Sequence, residues 1–407
     1  MSQSLPNAWL VNHYLAYKQH LLPETRLADV LQVTRDIVAL HATDATGPYL
    51  SLWARSPDFQ REALEDALYE RRELVKTLCM RVTLHAVPGD EMPFFFQAFP
   101  LAFFERRTPK PYRGKLLLVQ AGVCQEEEAE AMLNDLHRRV LDVVAEKGPC
   151  TARQIIQAVP ELLVKIRHDV GKPYEGEFSL GSRVAPGMCT RGLLVRARPR
   201  GTWRSSLYEY AALSDWLPDV DLESVTPQQA QTWLVRRYLS AFGPATGDDV
   251  QWWTGYSKTR VKQALRTLEP TTTRLSIEGL GDDYLMLADD ARRLGDFAPS
   301  DGPYVFLLPV LDPYIMGYRD RRRFMAQEHR AKVFDRAGNA VPTVWVNGRV
   351  VGAWGQRKDG SVVYDLFEQV DEGERVLLAD EIGRLQSFLD GEYVPPRFRT
   401  PFTRALE

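Results

Sequence analysis

A polar segment separates two apolar stretches near the start of the chain: His41, Ala42, Thr43 and Asp44 lie between IVAL and PYLSLWAR. An imidazole, a hydroxyl and a carboxylate are groups that can hold a water molecule and accept its proton. His41 and Thr43 are two residues apart, so they share a face only if this stretch is extended. The segment is therefore either a helix cap that satisfies backbone groups or a set of site residues facing a cleft.

A second group of residues suited to binding is a series of arginines on a predicted β-hairpin. Two strand-like runs, 193–197 and 202–208, are joined by the turn-forming sequence RPRG. Guanidinium groups along such a hairpin would contact phosphates well, which indicates nucleic-acid binding, although a solvated charged hairpin is the alternative. The arginines are Arg191, Arg196, Arg198, Arg200 and Arg204.

Other basic residues allow two interpretations each. One run suits either a nucleic-acid contact or an interdomain linker, and it consists of Arg106, Arg107, Lys110, Tyr112, Arg113 and Lys115. Near the C-terminus, short turns are predicted at 347–348 and 358–360. Their basic residues, Arg349, Arg357 and Lys358, either probe a DNA minor groove or belong to plain solvated turns.

The segment RVTLHAVP alternates with period two and predicts a strand on which Arg81, Thr83 and His85 share a face. His85 and Arg81 then either form the wall of a pocket near His41, or His85 is a buried histidine bonded to the backbone. The sequence contains no phosphate-binding loop, zinc-protease motif, serine-hydrolase motif or metal-ligand cluster. We therefore expect neither a metal site nor a cofactor.

The elements that position these residues recur along the chain. A helix ending at Gly148-Pro149, a second helix and the arginine hairpin follow one another in the order of a winged helix-turn-helix. The same order recurs after Gly243-Pro244, which indicates an internal duplication, and the N-terminal helices with RVTLHAVP could form a third copy. From Tyr304 onward, strand-like runs with tight turns predict a small barrel or a sheet cap, followed by one amphipathic helix and an extended tail, PPRFRTPFTRALE.

The predicted fold class is therefore α+β, with tandem winged helix-turn-helix modules followed by a small C-terminal β-barrel. We place three modules at residues 1–128, 129–215 and 216–298, and the barrel-like domain with its terminal helix at 299–407. A chain of 407 residues has room for several such domains.

The composition limits the classes of protein that remain. Hydrophobic residues at 44% and charged residues at 26% are typical of a globular protein. The formal charge of -3 means that any contact with nucleic acid must come from local patches. Four widely separated cysteines predict free thiols in a reducing compartment, and no run approaches the ~20 apolar residues of a membrane span. A cytoplasmic protein is expected.

Six segments occur in the order found in one bacterial family: LHATDATGPYLSLWAR, MRVTLHAVPGDEM, TRGLLVRARPRGTW, RRYLSAFGPATGDDVQWWTG, LDPYIMGYRDR and VNGRVVGAW. On these segments the chain resembles the winged helix DNA-binding domain-containing proteins, the family of the AlkZ and YcaQ DNA glycosylases. The resemblance covers nearly the whole chain. It implies three winged-helix modules around DNA, a C-terminal β-barrel and a bacterial cytoplasmic location, at the nucleoid when the protein is bound.

The resemblance also implies an activity. Characterised glycosylases of the family carry Gln-apolar-Gln or Gln-apolar-Asp at the positions matched here by His41, Ala42 and Thr43. It implies a monofunctional glycosylase that excises bulky N-alkylated purines or unhooks interstrand crosslinks. In that hypothesis, His41 and Thr43 hold the hydrolytic water, and Asp44 supplies negative charge.

The partner implied by the resemblance is double-stranded DNA with bulky alkyl adducts. The sequence shows no heptad or obvious dimer helix and places three modules in one chain, so we expect a monomer that needs no cofactor. His41 stands where the family has Gln, and Thr43 where it has Gln or Asp. A non-catalytic winged-helix DNA-binding protein, either a damage sensor or a transcriptional regulator, is therefore the alternative.

Overall fold

The computed structural model describes residues 6–107, 114–168, 171 and 175–406, and these form a mixture of helices and strands. The α-helices are α1 Ala8–Lys18, α2 Val30–Asp36, α3 Gly47–Arg55, α4 Arg61–Glu65, α5 Met92–Ala98, α6 Leu101–Arg107, α7 Gly114–Gln120, α8 Ala129–Lys147, α9 Ala152–Ala158, α10 Gly181–Thr190, α11 Leu213–Trp216, α12 Pro227–Phe242, α13 Gly247–Thr254, α14 Lys258–Leu268, α15 Ala288–Asp296, α16 Arg330–Val333, α17 Glu372–Leu389 and α18 Pro401–Leu406.

The strands are short, and most of them pair as antiparallel neighbours. They are β1 Leu40–His41, β2 Leu74–Leu78, β3 Leu84–Pro88, β4 Cys150–Thr151, β5 Lys165–His168, β6 Gly176–Ser179, β7 Leu194–Pro199, β8 Tyr208–Ala212, β9 Thr272–Ile277, β10 Gly281–Leu287, β11 Val305–Leu308, β12 Thr343–Val346, β13 Arg349–Gln356 and β14 Val362–Leu366.

The chain divides into two compact units. The first unit combines Met1–Leu64 with Gln231–Glu407, and the second unit is Glu65–Ala230. The second unit contains the sheet order β3-β2-β7-β8-β4, in which β2 and β7 meet through Lys76 and Arg196. Helices α8, α9 and α10 pack against this sheet around a core that includes Leu136, Ile155 and Met188.

Two segments of the chain show the same order of elements, and each begins its second helix in the same way. In the second unit the order is α8, β4, α9, α10, β7 and β8. In the first unit it is α12, a bridge between Ala245 and Leu285, then α13, α14, β9 and β10. Thr151 and Thr246 cap α9 and α13 through reciprocal bonds with Gln154 and Asp249. The Gly-Pro-x-Thr sequence explains this start, because a Thr followed three residues later by Gln or Asp forms a capping box.

The C-terminal strands form an open four-stranded sheet in the order β11-β12-β13-β14. Its core is aromatic, with Trp345 completely buried against Phe306, Tyr314 and Phe324. Within the described ranges no ladder joins β14 to β11, so no closed barrel is found. Helix α17 packs against the edge strand β11 instead, and covering an edge with a helix is an alternative to closure.

Three local predictions need correction. The strand expected from Arg81 begins at Leu84, because Arg81 and Val82 have φ angles of 56° and 61° and form the turn between β2 and β3. The second strand of the arginine hairpin begins at Tyr208 rather than near Thr202. The tail that was expected to be extended contains α18.

Candidate active site

The polar segment 41–46 connects β1 to α3 and is tied to the C-terminal tail within the first unit. The buried Asp44 carboxylate accepts hydrogen bonds at Oδ1 from the backbone N–H and the hydroxyl of Thr46, at 2.9 Å and 2.7 Å. Its Oδ2 accepts a bond from the Arg397 backbone N–H at 2.9 Å. Arg397 also donates from Nη1 to the Thr43 carbonyl at 2.9 Å. Asp44 therefore holds the shape of the segment, and Arg397 is a site residue that the sequence did not indicate.

Replacing Asp44 by alanine is expected to lower the free energy of unfolding by about 1–3 kcal/mol, because the buried Thr46 N–H group loses its acceptor. Asp44→Asn should lose less, since the amide oxygen can still accept from Thr46. Urea denaturation measures both changes. A change below about 0.5 kcal/mol for the alanine variant would mean that the segment keeps its conformation without this carboxylate.

His41 and Thr43 contact each other at the start of the same segment. The Thr43 backbone N–H donates to Nδ1 of His41 at 3.4 Å, while His41 is buried and Thr43 is partly exposed. In the neutral ring this contact makes Nδ1 the acceptor, so the proton is on Nε2. The N–H donor of the neutral ring is then Nε2. The ring can take a proton at Nδ1 only when the long bond from Thr43 is broken.

The segment preceding α3 is longer than its counterparts later in the chain. After β4, helix α9 starts at once, and after the Ala245 bridge only the capping Thr246 precedes α13. Five residues, 42–46, separate β1 from α3. A cap needs no such length, as Thr151 and Thr246 show. Thr43 and Asp44 are among these extra residues, which favours a role for the segment beyond capping α3.

Helix α3 is completely buried and is anchored by an internal ion pair. Nη1 and Nη2 of Arg55 bind the two carboxylate oxygens of Asp312 at 2.8 Å each, and neither side chain is exposed. Ser51 donates to the same carboxylate at 2.8 Å. At the other end of α3, a Cβ on Gly47 would lie 3.0 Å from the His41 carbonyl oxygen, so glycine lets the helix start directly against His41. Arg55 of the LWAR segment and Asp312 of the LDPY segment therefore both hold α3 in place next to the segment 41–46.

His85 and Arg81 lie in the second unit at the β2–β3 hairpin. Nδ1 of His85 donates to the Thr83 carbonyl at 3.0 Å and lies 3.4 Å from the Cys79 sulfur. Burial lowers the pKa of His85 to about 4, with a smaller contribution in the same direction from Arg81 and an opposing one from the Thr83 bond. His85 is therefore a neutral, buried histidine bonded to the backbone. A role for it or for Arg81 in a pocket wall stays a prediction.

The pKa of His85 makes stability depend on pH in a defined direction. Between pH 6.5 and about 4 the unfolded chain binds the proton that folded His85 does not. Stability should therefore fall as the pH drops through this window, by roughly 3 kcal/mol at most, and should be flat for this group above it. Chemical denaturation from pH 4 to 7.5 tests this. His85→Gln should reduce the slope without removing it, because burial also lowers the pKa of His137 to about 4. An identical slope in that variant would assign the pH dependence to other groups.

Fewer of the hairpin arginines are available to bind phosphates than their spacing predicts. Arg196 is buried in the sheet opposite Tyr210, so it does not belong to an exposed phosphate-binding surface. Arg198 forms ion pairs with Glu65 and Glu70, and Arg200 pairs with Glu209 at 2.8 Å. Arg204 is exposed, and Arg191 is partly exposed at the end of α10.

The remaining basic candidates also divide into residues paired with an acid and residues that are exposed. Arg349 pairs with Glu368 at 3.1 Å, and the neighbouring turn is not an exposed tip, because Gly348 packs against Asn12. Arg357 and Lys358 are exposed at the next turn. In the earlier basic run Lys115 pairs with Glu130, whereas Lys110, Tyr112 and Arg113 lie outside the described residues.

Two kinds of feature are absent from the described ranges, a metal-binding cluster and a membrane-spanning helix. Across these ranges no group of three or more His, Cys, Asp or Glu residues is arranged to hold a metal ion. No helix in the same ranges is both long enough and apolar enough to cross a membrane.

With this geometry established, comparison with known proteins identifies the family. The model of the family described as DNA glycosylase AlkZ-like matches residues 34–388, so the chain belongs to the AlkZ-like DNA glycosylases, and the resemblance noted from the sequence motifs is confirmed. An interstrand DNA cross-link repair glycosylase of Streptomyces sahachiroi is 30% identical over 183 residues. That match spans 43% of this chain and 46% of the relative, which is about half its length.

A solved structure extends the similarity to the whole fold. The DNA glycosylase AlkZ of Streptomyces sahachiroi superposes with a TM-score of 0.70 at 20% sequence identity. The superposition covers 97% of this chain and 100% of that chain. The mixed helical and sheet architecture is therefore shared over nearly the full length.

Proposed function

We propose that this protein is a monofunctional DNA glycosylase that hydrolyses the N-glycosidic bond of bulky N-alkylated purines, including those in interstrand crosslinks. The observation that carries this proposal is the tethered segment 41–46. It places a histidine and a threonine at the positions where the family has its hydrogen-bonding pair, on a loop longer than a helix cap requires.

The proposed mechanism relies on a good leaving group. A purine alkylated at N7 or N3 is cationic, so the bond between C1′ and the base nitrogen can break with little proton transfer to the base. Nε2–H of His41 and the hydroxyl of Thr43 hold a water against the anomeric carbon, a positioning role that lowers the entropic barrier. The water oxygen bonds to C1′, the bonding electron pair leaves with the base, and the water's proton passes to solvent.

In this proposal Asp44 acts by position and charge. Its buried carboxylate is fixed by Thr46 and Arg397, so its negative charge stands next to His41 and Thr43 without reorganisation. A fixed negative charge favours the positive charge that develops on the sugar in the transition state. No lysine lies in the segment, which fits a hydrolytic step without a covalent amine intermediate.

We infer three winged-helix modules, at 1–128, 129–215 and 216–298, followed by the barrel-like domain at 299–407. The repeated order of helix, short strand, two helices and hairpin supports the second and third modules. The order α2, β1, α3, α4, β2 and β3 supports the first. The partner that we propose is duplex DNA bound by a monomer, with Arg191, Arg204, Arg357 and Lys358 as candidate phosphate contacts.

The experiment that tests the proposed function uses two substrates in parallel. One duplex carries a single N7-alkylated guanine, and the other carries an interstrand crosslink through alkylated purines. The protein is expected to release the base from the first duplex. In the second it is expected to unhook the crosslink and leave an abasic site, so that the two strands separate on heating. Tight binding of both duplexes without reaction would favour the damage sensor or regulator instead.

A further inference from the structure

The third helices of the three repeated segments differ sharply in charge. In the first segment, α4 and the turn that continues it read REALEDALYE, with four acidic residues and one arginine. In the second, α10 has one charged residue, Arg183, which packs 4.6 Å over the Phe178 ring. In the third, α14 reads KTRVKQALRTL and has four cationic residues and no acidic one.

Helix α14 separates its apolar and polar residues onto different faces. Val261, Ala264 and Leu268 are buried, which fixes the inner face. Lys258, Lys262 and Arg266 recur every four residues and form one exposed stripe. Thr259, Gln263 and Thr267 form a second exposed stripe beside it. The outer surface of α14 therefore combines a row of cations with a row of uncharged hydrogen-bonding side chains.

The three cations are not neutralised by the protein itself. None of them forms an ion pair with any residue in the described ranges, in contrast to Arg198 and Arg200 of the arginine hairpin. The cavity of about 740 Å³ beside α14 is lined by Lys258, Lys262 and several acidic side chains, and two of these acids are paired with other residues. Asp248 pairs with Arg319 at 2.8 Å, and Asp283 pairs with Arg274 at 3.1 Å.

We propose that α14 is the helix with which this protein enters the major groove of duplex DNA. Lys258 and Arg266 are eight residues apart, or about 12 Å along the helix, which matches the width of the major groove at about 12 Å. The cationic stripe contacts phosphates along the groove, and the Thr-Gln-Thr stripe faces base edges. The acidic third helix of the first segment and the apolar α10 do not take this role.

This inference rests on DNA being the partner in the proposed function, but it needs no damaged base. It assigns binding of undamaged duplex to a surface separate from the segment 41–46. The β9–β10 hairpin that follows α14 is not expected to contact DNA phosphates, because the residues around its turn include three exposed acids, Glu278, Asp282 and Asp283.

Fluorescence anisotropy with an undamaged mixed-sequence DNA duplex, titrated against salt, tests the proposal. The variant with Lys258→Ala, Lys262→Ala and Arg266→Ala is expected to lose roughly tenfold in affinity per contact at 0.1 M salt and to lower the log-log salt slope by about 0.9 for each contact. Gln263→Glu should also weaken binding, because it places a negative charge inside the groove. Exposed substitutions on one helix face leave the fold intact, which circular dichroism checks.

Arg292→Ala is the control for each single substitution in the α14 stripe, because Arg292 is an exposed arginine on α15 of the same unit and its loss removes one positive charge, as each of those substitutions does. It should leave the slope unchanged, and an equal flattening in this variant would overturn the proposal. Duplex RNA should bind more weakly, since its deep, narrow major groove does not admit a helix. Equal binding of duplex RNA, or wild-type affinity in the triple variant, would also overturn it. Groove binding that depends on α14 without any base release would uphold the inference and reject the glycosylase.

Discussion

Asp312→Ala is expected to lower the free energy of unfolding by about 3–5 kcal/mol, since the substitution leaves the Arg55 guanidinium buried without its carboxylate. Both side chains are fully inaccessible, and the carboxylate also accepts bonds from Ser51 and from the Tyr314 backbone N–H at 2.9 Å. A loss of this size is a large part of the stability of most proteins. Urea denaturation followed by tryptophan fluorescence measures it.

Two further variants separate the ion pair from other effects of the substitution. Asp283→Ala removes one partner of an exposed pair with Arg274, and it should cost less than about 1 kcal/mol. The double variant Arg55→Met with Asp312→Leu should regain part of the loss, because apolar side chains of similar volume can replace a buried pair. If Asp312→Ala costs no more than Asp283→Ala, the buried pair does not anchor α3.

His41→Ala is expected to lower single-turnover base release by roughly 10²-fold or more, the contribution typical of a group that positions or activates a water. Thr43→Val should lower it comparably, because an isopropyl group cannot hold a water. Thr43→Gln and His41→Gln should retain more activity, since an amide restores a hydrogen bond. DNA affinity should remain close to that of the wild type in all four variants.

Comparing the DNA affinity of each variant with its rate of base release distinguishes a catalytic role of His41 and Thr43 from a structural one. If His41→Ala loses binding and release together, His41 supports the conformation of β1 and α3 rather than the water. Thr43→Ser provides the conservative control, because it keeps the hydroxyl and should keep most of the activity. Equal loss in Thr43→Ser and Thr43→Val would show that the hydroxyl has no part in the reaction.

The parts of the fold that depend on local sequence were predictable. The Gly-Pro-x-Thr sequences at 148–151 and 243–246 place a break and a capping box at the same point of two segments, and helix, helix and hairpin follow each. The positions 41–44 were also identified from their polarity between two buried stretches. Local patterns determine where a helix begins and which face is apolar.

The contacts that build the site join distant parts of the chain, and no local pattern contains them. Arg55 and Asp312 are 257 positions apart, and Arg397 reaches Asp44 across 353 positions. Burial of Arg196 was also unpredictable, because strand alternation specifies two faces without saying that both are covered. The positive φ angles at Arg81 and Val82 broke the predicted strand, since neither residue type signals a left-handed turn.

Release of free base by the wild-type protein tests the central claim most directly. Protein in excess is incubated with a duplex that carries one N7-alkylated guanine, and free base and abasic sites are quantified over time. We expect release of one base per duplex, well above spontaneous depurination, and abasic sites with no strand cleavage. Fully bound duplex whose glycosidic bonds remain intact would contradict it.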